Sequence, residues 1–274
     1  MDGRVSVNGE RCLDPTTRVA PDAVVVIDEH APKHRPGPLP EGAIVFFDAD
    51  VVVVDKPAGM LSVADEEGNI DTLLNHARTV VRRMDKGGKD SALGVVHRLD
   101  RETSGVMVFA RTASAHRALA AQFRDREMDR VYEAIVHGNV TARHIETQLV
   151  LDRGDGLRGS FGLFRRPKGD PPADARLAIT HVQPVESLRG ATLIECRLET
   201  GRQHQIRIHL SELGHPLLGE RVYVRDYRGE KIESPRLMLH ARTLGFAHPR
   251  TGKHVAFERA APADFQAMLA SLGV

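Results

Sequence analysis

Residues 94–112, GVVHRLDRETSGVMVFART, decide how this chain is read. Two apolar runs, GVV and GVMVFA, close around a polar loop holding His97, Arg98, Asp100, Arg101, Glu102, Thr103 and Ser104. Apolar, β-branched runs of that kind imply buried strands. A connection between buried strands needs only turn chemistry, yet this one sets acids and bases side by side. Charge beyond what a turn requires marks the loop as a candidate active site.

Outward from the loop, strand and helix signals alternate without the regular βαβ rhythm of a parallel sheet, which gives an α+β fold class. Strands are expected near 43–47, 51–55, 94–97, 105–111, 130–137, 176–186, 191–199 and 254–259. Helices are expected near 70–84, where Ile70, Leu73, Leu74, Ala77 and Val81 form an apolar stripe, and near 114–126, 202–213 and 263–272. In the third of these, Ile206, Leu210 and Leu213 share one face and Gly214 supplies a stop. Residues 30–42, HAPKHRPGPLPEG, read as a proline-rich linker between an N-terminal region, 1–29, and a main domain, 43–274. Residues 152–175 are too rich in Gly, Arg, Pro and Asp for one continuous element and read as a surface insertion. The alternative is a segment that orders on RNA through Arg165, Arg166 and Lys168 beside Phe164.

A hydrophobic content of 41% with 27% charged residues suits a globular protein with an aliphatic core. No apolar run approaches the roughly 20 residues of a membrane span, and MDGRVSVNGERCLD lacks the apolar segment of a secretory signal, so a cytoplasmic location is expected. Cys12 and Cys196 make neither a disulfide framework nor a paired zinc spacing. His204 and His209 lie five apart, off a common helical face, and no metal is expected. A net charge of +1 argues against indiscriminate binding of polyanions. Any polyanion-binding surface must then be local: Arg78, Arg82, Arg83, Lys86 and Lys89; Arg124, Arg126 and Arg130; or Arg165, Arg166 and Lys168.

The loop HRLDRETSG at 97–105 fills every fixed position of a pattern, HRLDxxTSG, carried by the RluA-type family of RNA pseudouridine synthases, and the chain resembles that family. The resemblance extends through KPAGMLSV at 56–63, RVYEAIVHG at 130–138, TGRQHQIRIHLSELGHPLLGE at 200–220 and LMLHARTLGFAHP at 237–249. It implies a large bent, mostly antiparallel sheet in two subdomains with a catalytic cleft across its middle, and an isomerase that converts uridine to pseudouridine without cofactor or metal. Residues 1–29 resemble the second half of the S-four type RNA-binding domain found in front of many such synthases, without the helical half that supplies RNA contacts.

The resemblance makes Asp100 the catalytic aspartate; the plainer reading of the residue is a turn Asp or a partner of Arg101. Arg202 sits near the start of the expected 202–213 helix, where a cation opposes the macrodipole and calls for an anion nearby. The resemblance names that anion as Asp100, kept ionised by Arg202; Glu199 is the alternative. Tyr132 shares a strand face with Ala134 and Val136. As a family member it would contact the target base, and since an ordinary tyrosine is protonated at neutral pH, stacking is the firmer role than proton abstraction. Arg130 stands where the family usually has Lys. The resemblance makes Arg98 the residue that enters the space left by a flipped nucleotide or contacts its backbone, and His97 and Arg207 are further candidates for RNA or substrate contacts. His97 also shapes the loop with Thr103, Ser104 and Gly105, while His209 is a weaker binding candidate and His240 reads as a packed polar residue. Two other classes remain: an RNA binder of the same fold without catalysis, and a glycoside hydrolase. The latter requires a second carboxylate, for which Glu102 is the only neighbour. The target leans to ribosomal RNA over transfer RNA because the N-terminal remnant resembles the ribosomal-RNA branch; monomer is the default state.

Overall fold

A computed structural model of the chain describes residues 5–7, 10–12, 23–28, 39–64, 71–85, 92–164, 169–224 and 227–273. Most of the proline-rich stretch 30–42 lies outside them, as do Ile70, Lys86, Lys89, Arg165, Arg166 and Lys168. Near the N-terminus β1 (Val5–Val7), β2 (Glu10–Cys12) and β3 (Val25–Ile27) form a small antiparallel sheet in the order β2-β1-β3.

The main sheet has eleven strands. In chain order they are β4 (Ile44–Phe47), β5 (Val51–Lys56), β6 (Gly94–Val95), β7 (Ser104–Ala110), β8 (Asp129–His137), β9 (Arg143–Val150), β10 (Gly159–Ser160), β11 (Arg176–Leu188), β12 (Ala191–Leu198), β13 (Leu239–Ala247) and β14 (His254–Glu258). Their spatial order is β10-β9-β11-β12-β8-β13-β7-β5-β4, with β14 on β13 and β6 on β7. Among the described residues the only parallel strand pairing is β13 with β7, so the sheet is mixed and mostly antiparallel within an α+β fold.

Helices cover both halves of the sheet. α1 (Leu73–Met84) buries Leu73, Ala77 and Val81 completely, and its N-cap Thr72 accepts a hydrogen bond from the Asn75 N–H. Val52, Val54 and Phe109 meet that stripe from the sheet, while Val51, Val53 and Val108 on the opposite face meet Ala115 and Leu119 of α2 (Ala113–Asp125). Burial on both faces explains why β5 is an unbroken valine run rather than an alternating one. α3 (Gln205–Glu212) packs Ile206 and Leu210 against Ala134, Val136 and Ile194, and α4 (Ala263–Leu272) packs Phe265 and Met268 against Ile135 and Met238. Each fully buried Val, Leu or Phe contributes roughly 1.5–3 kcal/mol, which makes these four clusters the main source of stability.

The expected elements form, with boundaries shifted by a few residues, but β9, the two-residue β10 and β13 go beyond them. β9 alternates exposed Arg143, His144 and Glu146 with buried Ile145 and Leu149 and offers too little apolar content to stand out. β13 carries His240, Arg242 and Gly245, polar or small residues that become compatible with a central strand only through partners from distant segments. Gly105 is one of them: at φ +118 it lies against Ala241, where a Cβ would fall 2.2 Å from the Ala241 carbonyl oxygen. That contact sets the start of β7, and with it the 97–104 loop, against the middle of the sheet.

Candidate active site

The 97–104 loop is fixed from below by the KPAGMLSV segment. The Lys56 ammonium, fully buried, donates to the carbonyls of Pro57, Met60 and Arg101 at 2.7–2.9 Å, and the Gly59 N–H donates to Arg101 as well. Ser62 holds Leu99 from both sides, its hydroxyl donating to the Leu99 carbonyl at 2.7 Å and accepting from the Leu99 N–H at 3.0 Å. Burial pulls the Lys56 pKa down to about 7 against the opposing fields of Glu102 and Asp100. Beyond the loop, the Ser104 hydroxyl meets His240 Nδ1 at 3.0 Å, and the other ring nitrogen of His240 reaches the Arg259 carbonyl.

Asp100 thus stands on a rigid support, with its side chain 21% exposed. Its Oδ2 lies 3.5 Å from Arg207 Nη1 and its Oδ1 3.8 Å from His204 Nε2. Arg202, expected as the partner, lies on the same cleft but donates its Nε to the Leu177 carbonyl at 2.9 Å. The reason is where α3 begins. The helix starts at Gln205, not at 202, so Arg202 falls in the preceding loop while Arg207 occupies the first turn. The cation that opposes the helix dipole is therefore Arg207, and it is answered by two anions. Besides Asp100 it holds Glu220 through Nε and Nη2 at 2.7 and 2.9 Å. Glu220 is buried, and its Oε1 also accepts from the N–H groups of Arg221, Val222 and Tyr223. Burial alone would raise the Glu220 pKa; Arg207 and the backbone donors outweigh it and hold the carboxyl below its usual range. Arg207, an RNA or substrate-binding candidate in the sequence, is a half-buried member of the ion network, with 12% of its side chain exposed, and it also borders the cleft.

Tyr132 packs against the hydrophobic clusters of both halves of the sheet, at the seam where the cleft lies. Burial, with a smaller contribution from Asp100, raises its pKa although Arg130 opposes, so the phenol keeps its proton. Arg130 is itself committed to the carbonyls of Leu198 and Glu199. The ring of His97 stacks on Phe123 at 4.7 Å between centroids and its Nε2 accepts the Val108 N–H. Burial lowers its pKa to about 3, so it is a neutral acceptor that fastens the loop to β7. Arg98 is exposed at the mouth.

Asp100, Tyr132, Arg98, Arg202, His204 and Arg207 all border one cavity of about 450 Å³. Asp100 is the only carboxylate in its lining among the described residues, facing the arginines 98, 124, 130, 202 and 207. Away from this cleft, Asp48, Asp50 and His248 have the spacing of metal ligands. Their donor atoms are already engaged: His248 and two backbone N–H groups meet Asp48, and Arg250 pairs with both oxygens of Asp50.

The profile of the RNA pseudouridylate synthase family matches residues 50–212, which span the loop, Tyr132 and α3. The chain is 39% identical over 237 residues to the ribosomal large subunit pseudouridine synthase D of Zymomonas mobilis, covering 84% of this chain and 72% of that one. It belongs to the RluA-type family of RNA pseudouridine synthases. A second relative, the ribosomal large subunit pseudouridine synthase D of Pseudomonas aeruginosa, is 35% identical over 99% of this synthase and 84% of its own length. In fold the synthase is similar to the human RNA pseudouridylate synthase domain containing 4, with a TM-score of 0.66 at 24% identity, covering 83% of this chain and 92% of the human one.

Sequence reading of the synthase missed Glu220, His204 and Tyr223 as parts of the site. Glu220 closes the motif TGRQHQIRIHLSELGHPLLGE at its last position. The preceding Gly219 was its visible signal: at φ +79, a Cβ there would lie 2.0 Å from the Arg236 carbonyl oxygen, so the backbone is pinned next to the acid.

Proposed function

We propose that this RNA pseudouridine synthase isomerises uridines of ribosomal RNA, with Asp100 as the catalytic carboxylate. The observation that carries the reading is the lining of the cleft, a single carboxylate against five arginines. A glycoside hydrolase needs two carboxylates across the sugar, and Glu102 is not part of that lining. A polyanion suits the arginines. The reaction breaks the bond between ribose and uracil nitrogen-1, turns the base and joins carbon-5 to the ribose, so it requires no oxidant, reductant or transferred group. Asp100 acts on the nucleoside, its carboxylate facing the Arg207 guanidinium at 3.5 Å. Tyr132, protonated and lodged on the hydrophobic seam, supports the base by stacking, and Arg98 contacts the strand from which the nucleotide is flipped.

Arg202 then belongs to the rim. Its guanidinium is tied to a carbonyl rather than to a carboxylate, and the positive fields of Arg126 and Arg176 reach it, an arrangement that suits a phosphodiester backbone. The choice of ribosomal over transfer RNA is supported by the two relatives above, both ribosomal large subunit pseudouridine synthases. Residues 1–29 act as an accessory region in this reading.

The test is tritium release from transcripts labelled at uracil carbon-5, run on separate ribosomal and transfer RNA pools with wild type and Asp100→Asn. Release from ribosomal RNA that the substitution abolishes is expected. Release from transfer RNA alone would overturn the target, and activity surviving in Asp100→Asn would overturn the catalytic assignment.

A further inference from the structure

His204 stands out on its backbone before its ring is considered. With Arg126 it is one of two non-glycine residues at positive φ among the described residues, at φ 59. Left-handed backbone costs a bulky side chain on the order of 1 kcal/mol or more, and it persists where something else requires the geometry. The residue is the N-cap of α3 but its side chain makes no capping hydrogen bond, so helix capping does not explain it. The turn instead delivers the imidazole into the cleft beside Asp100.

Both ring nitrogens have a defined neighbour. Nδ1 is 2.7 Å from the Tyr223 hydroxyl and Nε2 is 3.8 Å from Asp100 Oδ1. Tyr223 is itself held, its N–H donating to Glu220 and its ring lying 5.4 Å from the Arg207 guanidinium. We propose that His204 is a positioning residue for the catalytic carboxylate: the Tyr223 O–H donates to Nδ1, which places the ring proton on Nε2, and that N–H holds Asp100 Oδ1 while Arg207 holds Oδ2. The opposite tautomer would aim a lone pair at the carboxylate. The two groups face the carboxylate from both ends, Arg207 at 3.5 Å and His204 at 3.8 Å, separations of the kind that catalytic contacts close once substrate is bound.

The charges around the ring agree with a neutral donor. Burial lowers the His204 pKa; Asp100 and Glu220 oppose, while Arg207 and Arg158 add to the lowering. Tyr223, pushed up to about 12 mainly by burial, keeps the proton it must donate.

This inference rests on Asp100 being the catalytic carboxylate, so Asp100→Asn is the reference. Single-turnover tritium release at saturating enzyme, RNA affinity and thermal midpoints are measured for wild type, Asp100→Asn, His204→Gly, His204→Gln, Tyr223→Phe and the His204→Gly/Tyr223→Phe double variant. Glycine accepts φ 59 without strain, so His204→Gly keeps or raises the thermal midpoint. Its rate falls about 10- to 100-fold, the scale of a misplaced reacting group, with RNA affinity within about threefold. His204→Gln, whose amide N–H replaces Nε2–H, recovers part of the rate, and Tyr223→Phe loses rate by an amount that does not add to that of His204→Gly. A His204→Gly rate within threefold of wild type, a loss confined to affinity, no recovery in Gln, or additive losses would overturn the role of His204. Activity in Asp100→Asn would instead overturn the catalytic reading beneath it.

Discussion

Replacing Arg207 and Arg202 in turn with lysine asks which arginine serves Asp100. Both substitutions keep the charge, so only geometry is tested. At position 207, lysine loses the fork that spans Glu220 at 2.7 and 2.9 Å and reaches towards Asp100 from its third nitrogen. One ammonium cannot serve both acids. Losing a hydrogen bond between charged groups costs about 1.5–3 kcal/mol, and Glu220 is buried with backbone donors that keep it ionised. The expected loss of stability is therefore about 2 kcal/mol, read from urea midpoints. With Asp100 released on one side, turnover should fall about 100-fold, equivalent to about 2.7 kcal/mol of barrier at 1.36 kcal/mol per decade. Arg202→Lys exchanges an exposed contact with the Leu177 carbonyl and should change stability by less than about 0.5 kcal/mol. Its saturating rate should be unchanged, with weaker RNA binding. Tritium release under single turnover separates rate from affinity. A larger rate loss at 202 than at 207 would refute the assignment of Arg207 as the partner of Asp100.

Gly105→Ala places a Cβ 2.2 Å from the Ala241 carbonyl oxygen, and the resulting separation of β7 from β13 should cost at least about 1–3 kcal/mol and most of the activity, measured by thermal unfolding and tritium release. Ser62→Ala removes both hydrogen bonds to Leu99 and leaves buried polar groups unpaired, for an expected loss of about 1–3 kcal/mol in denaturant titration. His209, buried between the Thr147 and Thr180 hydroxyls, has its pKa lowered to about 4 from 6.5 by burial. Below pH 6.5 the unfolded chain binds the proton first, so stability falls as the pH drops from 6.5 towards 4; between pH 7 and 5 this group alone should remove about 2 kcal/mol. Urea midpoints compared with those of His209→Gln check it, and an equal pH slope in the two proteins would remove His209 as the cause.

The parts of this fold that were legible in the sequence are those whose stability is local. α1 announces itself through Leu73, Leu74, Ala77 and Val81, and β5 through four successive valines. β13 was not legible because His240 and Arg242 are tolerated there only through Ser104 and the Arg259 carbonyl on one side and Glu133 and Glu195 on the other, all remote in sequence. The site divides in the same way. Asp100 was visible as charge in the wrong place, whereas the choice between Arg202 and Arg207 turned on three residues of helix register, and helix starts are the part of a pattern least constrained by periodicity. Glu220 and Tyr223 were hidden because their partners are formed by a turn whose course depends on Gly219 meeting Arg236.

The position of β13 has a consequence for how the protein comes into being. β4, β5 and β7 form one side of the main sheet, and β8 to β12 form the other; no pairing joins β7 directly to β8, and β13 lies between them. During synthesis, every residue bordering the cleft except Leu239 has been made before that joining strand begins. A nascent chain released as far as α3 therefore holds the loop of Asp100 and the helix of Arg207 on two sheets that are not yet zipped together. Such late, long-range pairing is slow relative to local folding, and it makes the enzyme's activity depend on the formation of β13. A ribosome-bound intermediate stalled before residue 239 should fold in pieces and leave RNA unmodified.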